Sequence, residues 1–240
     1  MNGEIAKVVE TLGRANSIAI LTGAGISAES GVPTFRGGGG TAVWKGMRFD
    51  QISSAEMVRR DLPAVWEWFD YRRGVLRECE PNPAHFAIAE WQERFGSLTL
   101  VTQNIDGLHR AAGSSDVIEV HGNINRSRCV SCSTVFQMER DTVPHDPDLC
   151  ECGSPVRPDV VLFGEMLPQG AYERGAAAAA SCDVFLTIGT SALVYPAAML
   201  PEIARKSGAV VVEVNPEGTP LTAMCDVSLR GKAGEILPLL

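Results

Sequence analysis

Five short apolar runs, at residues 17–21, 98–102, 117–120, 184–189 and 210–215, constrain this chain more than any other feature. Their Val, Ile and Leu content carries little polar alternation, which fits strands buried on both faces of a sheet. Helical or loop segments separate them, not the two-residue turns of hairpins. Ahead of the first, residues 4–15 place Ile5, Val8, Val9 and Leu12 at helical spacing. The pattern predicts an α/β chain with a doubly wound parallel sheet.

Two stretches interrupt it. Residues 126–158 turn to short polar pieces bearing paired cysteines, and residues 37–73 hold Trp44, Trp66 and Trp68, three of the four tryptophans. These read as insertions that build a smaller domain from 37–73 and 126–158, beside a sheet domain from 1–36, 74–125 and 159–240. Glycines 37–40 read as a loop, and the alanines at 176–180 as a close-packed helix.

The 240 residues are 45% hydrophobic, enough for a sizeable core. A net charge of −8 and no clustered Lys or Arg argue against nucleic acid as a partner, whereas an acidic surface suits a basic, lysine-bearing protein. No stretch reaches the ~20 apolar residues of a membrane span, and the first residues lack a signal-peptide pattern, so a cytoplasmic location with no membrane partner is expected; a monomer is the expected state.

Cys129-x2-Cys132 and Cys150-x-Cys152 supply four thiolates, a set that closes a tetrahedral structural zinc site. Two disulfides or four unliganded thiols are the bland alternative, and the second pair is one residue tighter than usual. Cys79, Cys182 and Cys225 read as core thiols.

The run at 17–21 ends in Thr22, Gly23, Ala24 and Gly25, with Ser27 beyond and Ala28-Glu29-Ser30 as a helix opening. Such a turn can bring backbone amides to a pyrophosphate, although glycine turns after strands are common. Two later run ends carry small polar groups: Gly189, Thr190 and Ser191, then Asn215, Pro216 and Glu217. In an open α/β sheet a ligand binds where carboxyl ends of strands converge. Gln103, Asn104, Ile105 and Asp106 follow the run at 98–102 and His121 follows that at 117–120, on the same edge. His121 is therefore the best general base, against the bland reading of a capping or core histidine. His85 and His109, in helical context, and His145, in a proline-rich loop, lack that placement.

In this order the motifs resemble the sirtuin family of NAD-dependent protein deacylases. The resemblance runs from Gly23 through Thr34, Phe35 and Arg36, Thr102 to Asp106, His121-Gly122, the cysteine pairs, 157–165, 189–191 and 215–217. It implies a Rossmann-like sheet domain, a small zinc domain and a cleft where NAD meets an acyl-lysine protein or peptide. NAD would be a co-substrate: the acyl oxygen displaces nicotinamide, and His121 then deprotonates a ribose hydroxyl that attacks the alkylimidate. Asn104 would orient ribose and a water, Asp106 the carboxamide, and Phe35 would shield the leaving face. Arg36 and Gln103 would contact the cofactor, with Lys232 and Ala233 completing its site. Backbone of Val161, Phe163 and Gly164 would pair with the substrate as an added strand. The glycine loop at 37–40 would order only on NAD binding.

Residues 66–73 are similar to the desuccinylase and demalonylase branch, whose Tyr-x-x-Arg pair holds a distal carboxylate. Here the pair is Phe69-x-x-Arg72, which predicts acidic-acyl activity that is weakened and not abolished, unless Arg72 only pairs with Asp70 or Glu67. A nicotinamide-linked dehydrogenase, a protein ADP-ribosyltransferase and a nucleotide-sensing binding module are the competing functions. The non-standard glycine spacing weighs against the first.

Overall fold

The amphipathic first segment forms α1 (Asn2–Arg14) and the first apolar run β1 (Ile18–Thr22), with all five strand residues buried. The structure is a computed structural model and describes residues 2–34, 43–139, 148–168 and 170–240. After a 3-10 helix at Ala24–Ser30 come β2 (Val43–Trp44), β3 (Met47–Arg48), α2 (Phe49–Ile52), α3 (Ala55–Arg60), α4 (Leu62–Arg77) and α5 (Pro83–Arg94). Then follow β4 (Leu98–Thr102), α6 (Leu108–Ala111), β5 (Ile118–Glu119), β6 (Gly122–Cys129), β7 (Val135–Gln137) and β8 (Val156–Val160). The chain finishes with α7 (Ala171–Ser181), β9 (Val184–Ile188), α8 (Leu200–Lys206), β10 (Val210–Val214), β11 (Val227–Leu229) and α9 (Ala233–Ile236).

Six strands pair in parallel in the order β11-β10-β9-β1-β4-β5, the expected doubly wound sheet. The chain leaves β1 on one side through β4 and β5, then crosses to the other through β9, β10 and β11. The direction of winding therefore reverses at β1, which opens the ligand crevice at its carboxyl end.

Alternation along β1 divides the core in two. Ile18 and Ile20 pack with Leu12, Ile88 and Trp91 under α1 and α5, while Ala19 and Leu21 pack with Phe185, Ala179 and Ala204 under α7 and α8. The alanine run works as expected. A Cβ on Gly175 of α7 would come within 3.4 Å of Val101, so this helix lies close on the sheet. Cys79 and Cys182 are buried, whereas Cys225 is only half-buried. Among the described residues no helix is long and apolar enough to cross a membrane.

A third core lies apart. Ile52, Trp66, Trp68 and Phe69 pack with Ile124, Val156, Val160 and Leu162, against the three-stranded antiparallel sheet β7-β6-β8. Indole donors fix the contact, Trp66 Nε1 to the Val156 carbonyl and Trp68 Nε1 to Ser53 Oγ, both at 2.8 Å. The two inserted stretches thus meet each other. The cuts drawn at 73, 125 and 158 fall inside α4, β6 and β8, and the buried apolar residues of α4 and β6 on both sides of the first two cuts belong to this third core.

Candidate active site

The loop after β1 departs from expectation. A helix was expected to open at Ala28-Glu29-Ser30, but these residues close a 3-10 helix that begins at Ala24 and ends on Gly31 at φ +86°. The cause is the neighbouring strand. Gly23 N–H donates to the Ile188 carbonyl at 3.0 Å and Gly25 N–H to Gly189 at 2.8 Å, so these two amides are occupied and do not face a pyrophosphate. A Cβ on Gly25 would sit 2.6 Å from the Gly189 oxygen, and one on Gly23 2.8 Å from the Thr190 Cα. Close approach of two strand ends demands both glycines, and half-exposed Ala24 sits between them.

On that base stands a buried polar network. Ser27, which has no exposed surface, donates its hydroxyl to Asp106 Oδ2 at 2.8 Å and accepts from Asn104 Nδ2 at 3.1 Å. Asn104 gives its other amide hydrogen to the Gly23 carbonyl at 3.2 Å, leaving its side-chain oxygen as the acceptor it can offer. Asp106 Oδ1 accepts from Leu108 N–H at 3.0 Å, and burial raises its pKa despite these bonds and the charge of Arg72. Gln103 Nε2 donates to Thr190 Oγ1 at 3.1 Å, and Asn215 Nδ2 to the Thr190 carbonyl at 2.8 Å. Three strand ends are thereby tied together. Ser191 and Ile105 lie half-buried beside them, and Pro216 and Glu217 are exposed.

His121 follows β5. Its Nδ1 lies 2.9 Å from the Gln103 carbonyl, which can only accept, so Nδ1 carries the hydrogen and Nε2 keeps the lone pair. Burial lowers its pKa, and the imidazole is neutral near pH 7. A neutral histidine with a fixed tautomer at a cleft edge can accept a proton.

Other expected contacts are placed differently. Glu29 accepts from Gly234 N–H at 2.8 Å, and Lys232 caps α9 ahead of buried Ala233, so these residues join the first loop to the last helix. Thr34 is half-exposed, while Phe35, Arg36 and the glycines at 37–40 lie outside the described residues. Val161 N–H donates to the His121 carbonyl at 2.9 Å, and Phe163 pairs with the Ser53 carbonyl at 2.9 Å and with Ala55 N–H at 3.0 Å. Those groups are not open to an added strand; Gly164, at φ +86°, and the exposed Phe163 ring remain.

Phe69 is buried at 1% exposure, and the Arg72 guanidinium lies 5.6 Å from the Trp68 ring centre. The two acids beside Arg72 in the sequence have other partners, Asp70 with Arg73 at 3.3 Å and Glu67 with Lys45 at 2.8 Å. Burial lowers the Arg72 pKa, and the charge of Asp106 partly opposes this.

Sequence reasoning passed over two histidines. His85 accepts from Asn82 N–H at Nδ1, 3.2 Å, so its Nε2–H points to Ser27 Oγ at 3.3 Å. His109 Nε2 meets Thr22 Oγ1 at 2.9 Å, and the two rings stand edge to face at 4.9 Å. They back the network from inside. The only signal was Asn82-Pro83 with His85 three residues on, a helix-start pattern whose histidine turns inward.

The four sulfurs of Cys129, Cys132, Cys150 and Cys152 lie within 4.8 Å of one another, with Cys129 to Cys152 and Cys132 to Cys150 both at 3.5 Å. A tetrahedral zinc with bonds of ~2.3 Å separates its sulfurs by about 3.8 Å, so the set fits. The tight second pair is accommodated by a turn through Gly153 at φ +81°.

A model of the Sir2 family matches residues 23–196, a span that includes the glycine loop, the buried network, His121 and all four cysteines. The chain belongs to the Sir2 family. It is 46% identical over 234 residues to NAD-dependent protein deacylase 2 of Pyrobaculum aerophilum, covering 97% of this chain and 93% of that protein. A crystal structure of a Sir2 homologue in complex with NAD aligns with a TM-score of 0.89 at 43% identity, over 98% of this chain and 91% of the other. A Sir2 protein bound to an acetylated peptide aligns at 0.84 and 29%, over 98% and 95%. This sirtuin thus pairs a Rossmann-like sheet with a four-cysteine zinc site, the fold class expected from its sequence.

Proposed function

We propose that the protein removes acyl groups from protein lysines at the expense of NAD, releasing nicotinamide and O-acyl-ADP-ribose. The observation that carries this reading is His121: neutral, its tautomer fixed by the Gln103 carbonyl, on the edge where Asn104, Asp106, Thr190 and Asn215 converge. In this reading NAD lies across the carboxyl ends of β1, β4, β9 and β10. Its adenosine end meets Ser191, Asn215, Pro216, Glu217, Lys232 and Ala233, and its pyrophosphate Ala24. Its nicotinamide end meets Thr34, Phe35, Arg36, Asn104, Ile105 and Asp106. Gly23, Gly25, Ser27, Glu29, Gln103, Gly189 and Thr190 shape the site from behind.

His121 Nε2 takes a proton from a ribose hydroxyl once nicotinamide has left. Asn104, with both amide hydrogens donated inward, offers its oxygen to the ribose or to a water. The acyl-lysine enters beside Phe163 and Gly164, guided by the main chain and only weakly by side chains. Two domains meet at this cleft, the sheet domain and the unit built around Trp66 and the cysteines. A cytoplasmic monomer, without nucleic-acid or membrane partners, agrees with the acidic charge. ADP-ribosyl transfer shares the first bond cleavage and is the second reading; a neutral base beside the ribose favours deacylation.

Arg72 extends the proposal to the acyl group. Its guanidinium has neither Asp70 nor Glu67 as partner and can meet a distal carboxylate, but Phe69 adds no hydroxyl. Mass-spectrometric turnover of matched acetyl-, succinyl- and malonyl-lysine peptides, with and without NAD, tests both points. NAD-dependent release from all three is expected, with acetyl favoured. Arg72→Met should then lower the succinyl-to-acetyl ratio by roughly tenfold, the loss of one charge-assisted contact. Modification of the protein by labelled NAD without peptide deacylation would favour ADP-ribosyl transfer, and an unchanged ratio would remove Arg72 from the pocket.

A further inference from the structure

One carboxylate is buried in the sheet behind the adenosine end of the proposed NAD site. Glu213 on β10 is only 2% exposed, in a row with Thr187 of β9 and Ser228 of β11. A buried carboxylate must be matched by donors, and this one is. Thr219 Oγ1 donates to Glu213 Oε1, Thr222 Oγ1 to Oε2 at 2.7 Å, Ser228 Oγ to Oε2 at 3.3 Å, and Arg230 Nη1 lies 2.8 Å from Oε2.

The donors belong to the segment that follows Asn215, Pro216 and Glu217. Thr219 Oγ1 accepts from Leu221 N–H at 3.1 Å, and Thr222 Oγ1 accepts from Thr219 N–H at 2.8 Å and from Arg230 Nη2 at 3.0 Å. Both hydroxyls therefore accept from the loop backbone and give their hydrogens to Glu213. Arg230 also donates to the Glu217 carbonyl at 3.0 Å. The outer surface of this loop, Pro216 to Gly218, is exposed, so its shape is set from beneath. An amide at position 213 would keep the size but turn an acceptor into a donor facing hydroxyls and a guanidinium that themselves need an acceptor.

We propose that Glu213 is a positioning residue that holds the loop from Asn215 to Thr222 in the shape that receives the adenosine half of NAD, acting through Thr219, Thr222 and Arg230. The inference rests on the NAD reading above and extends it to a group that touches no substrate. A device of this kind selects between the two ends of one ligand. It raises affinity for the adenosine end and leaves the acyl transfer at His121 unchanged.

The test is steady-state kinetics of Glu213→Gln on an acetyl-lysine peptide, together with calorimetric binding of ADP-ribose. KM for NAD should rise roughly tenfold and ADP-ribose binding should weaken in parallel, as expected for one lost charge-assisted hydrogen bond. kcat and KM for the peptide should stay within about twofold, because His121 and the peptide edge are untouched. Thr222→Val, which removes one relay and keeps the carboxylate, should reproduce the same split in smaller measure, so a folding defect in one variant does not decide the matter. Equal NAD and ADP-ribose affinity in wild type and both variants overturns the inference alone. So does a loss shared by peptide and NAD, which would mark a structural carboxylate. Wild-type protein that binds neither NAD nor ADP-ribose would overturn the parent reading and this inference with it.

Discussion

The carboxyl edge of the parallel sheet and the cysteine knuckle hold their functional atoms by different means. At the sheet edge Asn104, Asp106, Ser27 and His121 are held by hydrogen bonds from the chain itself, with Gly23 and Gly25 locked against the β9 end. At the knuckle four sulfurs converge on strand ends and turns, two of them on exposed residues, with Val130 and Val135 also exposed nearby. A structural zinc held by such a four-thiolate set couples metal binding to folding. On the proposed reading, the catalytic geometry is built into the sheet, while the half of the cleft bearing Trp66 and Phe69 is expected to depend on zinc.

Chelation breaks that comparison most strongly. Removing a structural zinc withdraws on the order of 10 kcal/mol of folding free energy. Zinc stripping, or Cys132→Ser, should abolish peptide turnover and collapse the near-ultraviolet signal of Trp66, whose indole bonds the Val156 carbonyl. The far-ultraviolet signal of the sheet and ADP-ribose binding should survive. A near-ultraviolet spectrum indifferent to zinc would make the knuckle self-sufficient and erase the contrast.

Acid should strike the sheet edge through its buried histidines. Burial lowers His85 to about 4 and His109 to about 3, the latter also beside the His85 ring. Unfolded histidines titrate near 6.5, so below that pH the unfolded chain binds more protons than the folded one. Their stabilising contribution is complete above pH 6.5 and is lost as pH falls towards 4, on the order of 3 kcal/mol for a shift like that of His85. Urea midpoints should therefore drop between pH 6.5 and 4.5 while a chromogenic chelator still finds zinc bound. A flat midpoint over that range would mean that the histidines are hydrated.

The two regions were also unequally legible in the sequence. Parallel strands buried on both faces announce themselves as apolar runs, and five of the six came close to their observed bounds. The edge strand β11 did not, since Val227-Ser228-Leu229 is three residues with a polar centre. The cysteines were readable because their spacing alone carries the chemistry. His85, His109 and Glu213 were not: the histidines work through partners distant in the chain, Ser27 and Thr22, and Glu213 through side chains of the loop that folds back beneath it, Thr219 to Arg230. The glycine loop misled for a related reason. Gly23 and Gly25 look like phosphate-binding glycines, yet their amides bond the β9 end, a contact that requires knowing which strand lies beside β1.

Nicotinamide exchange into NAD with an acetyl-lysine peptide, followed alongside product formation in His121→Ala, separates the roles most directly. If the sheet edge is already formed and His121 acts only as the base after nicotinamide departs, exchange of labelled nicotinamide should persist. Deacylated peptide should fall by about 10²- to 10⁴-fold, the contribution of a positioned general base. Product formation undiminished in His121→Ala, or exchange and product lost together with NAD binding, would contradict a base poised on a finished edge.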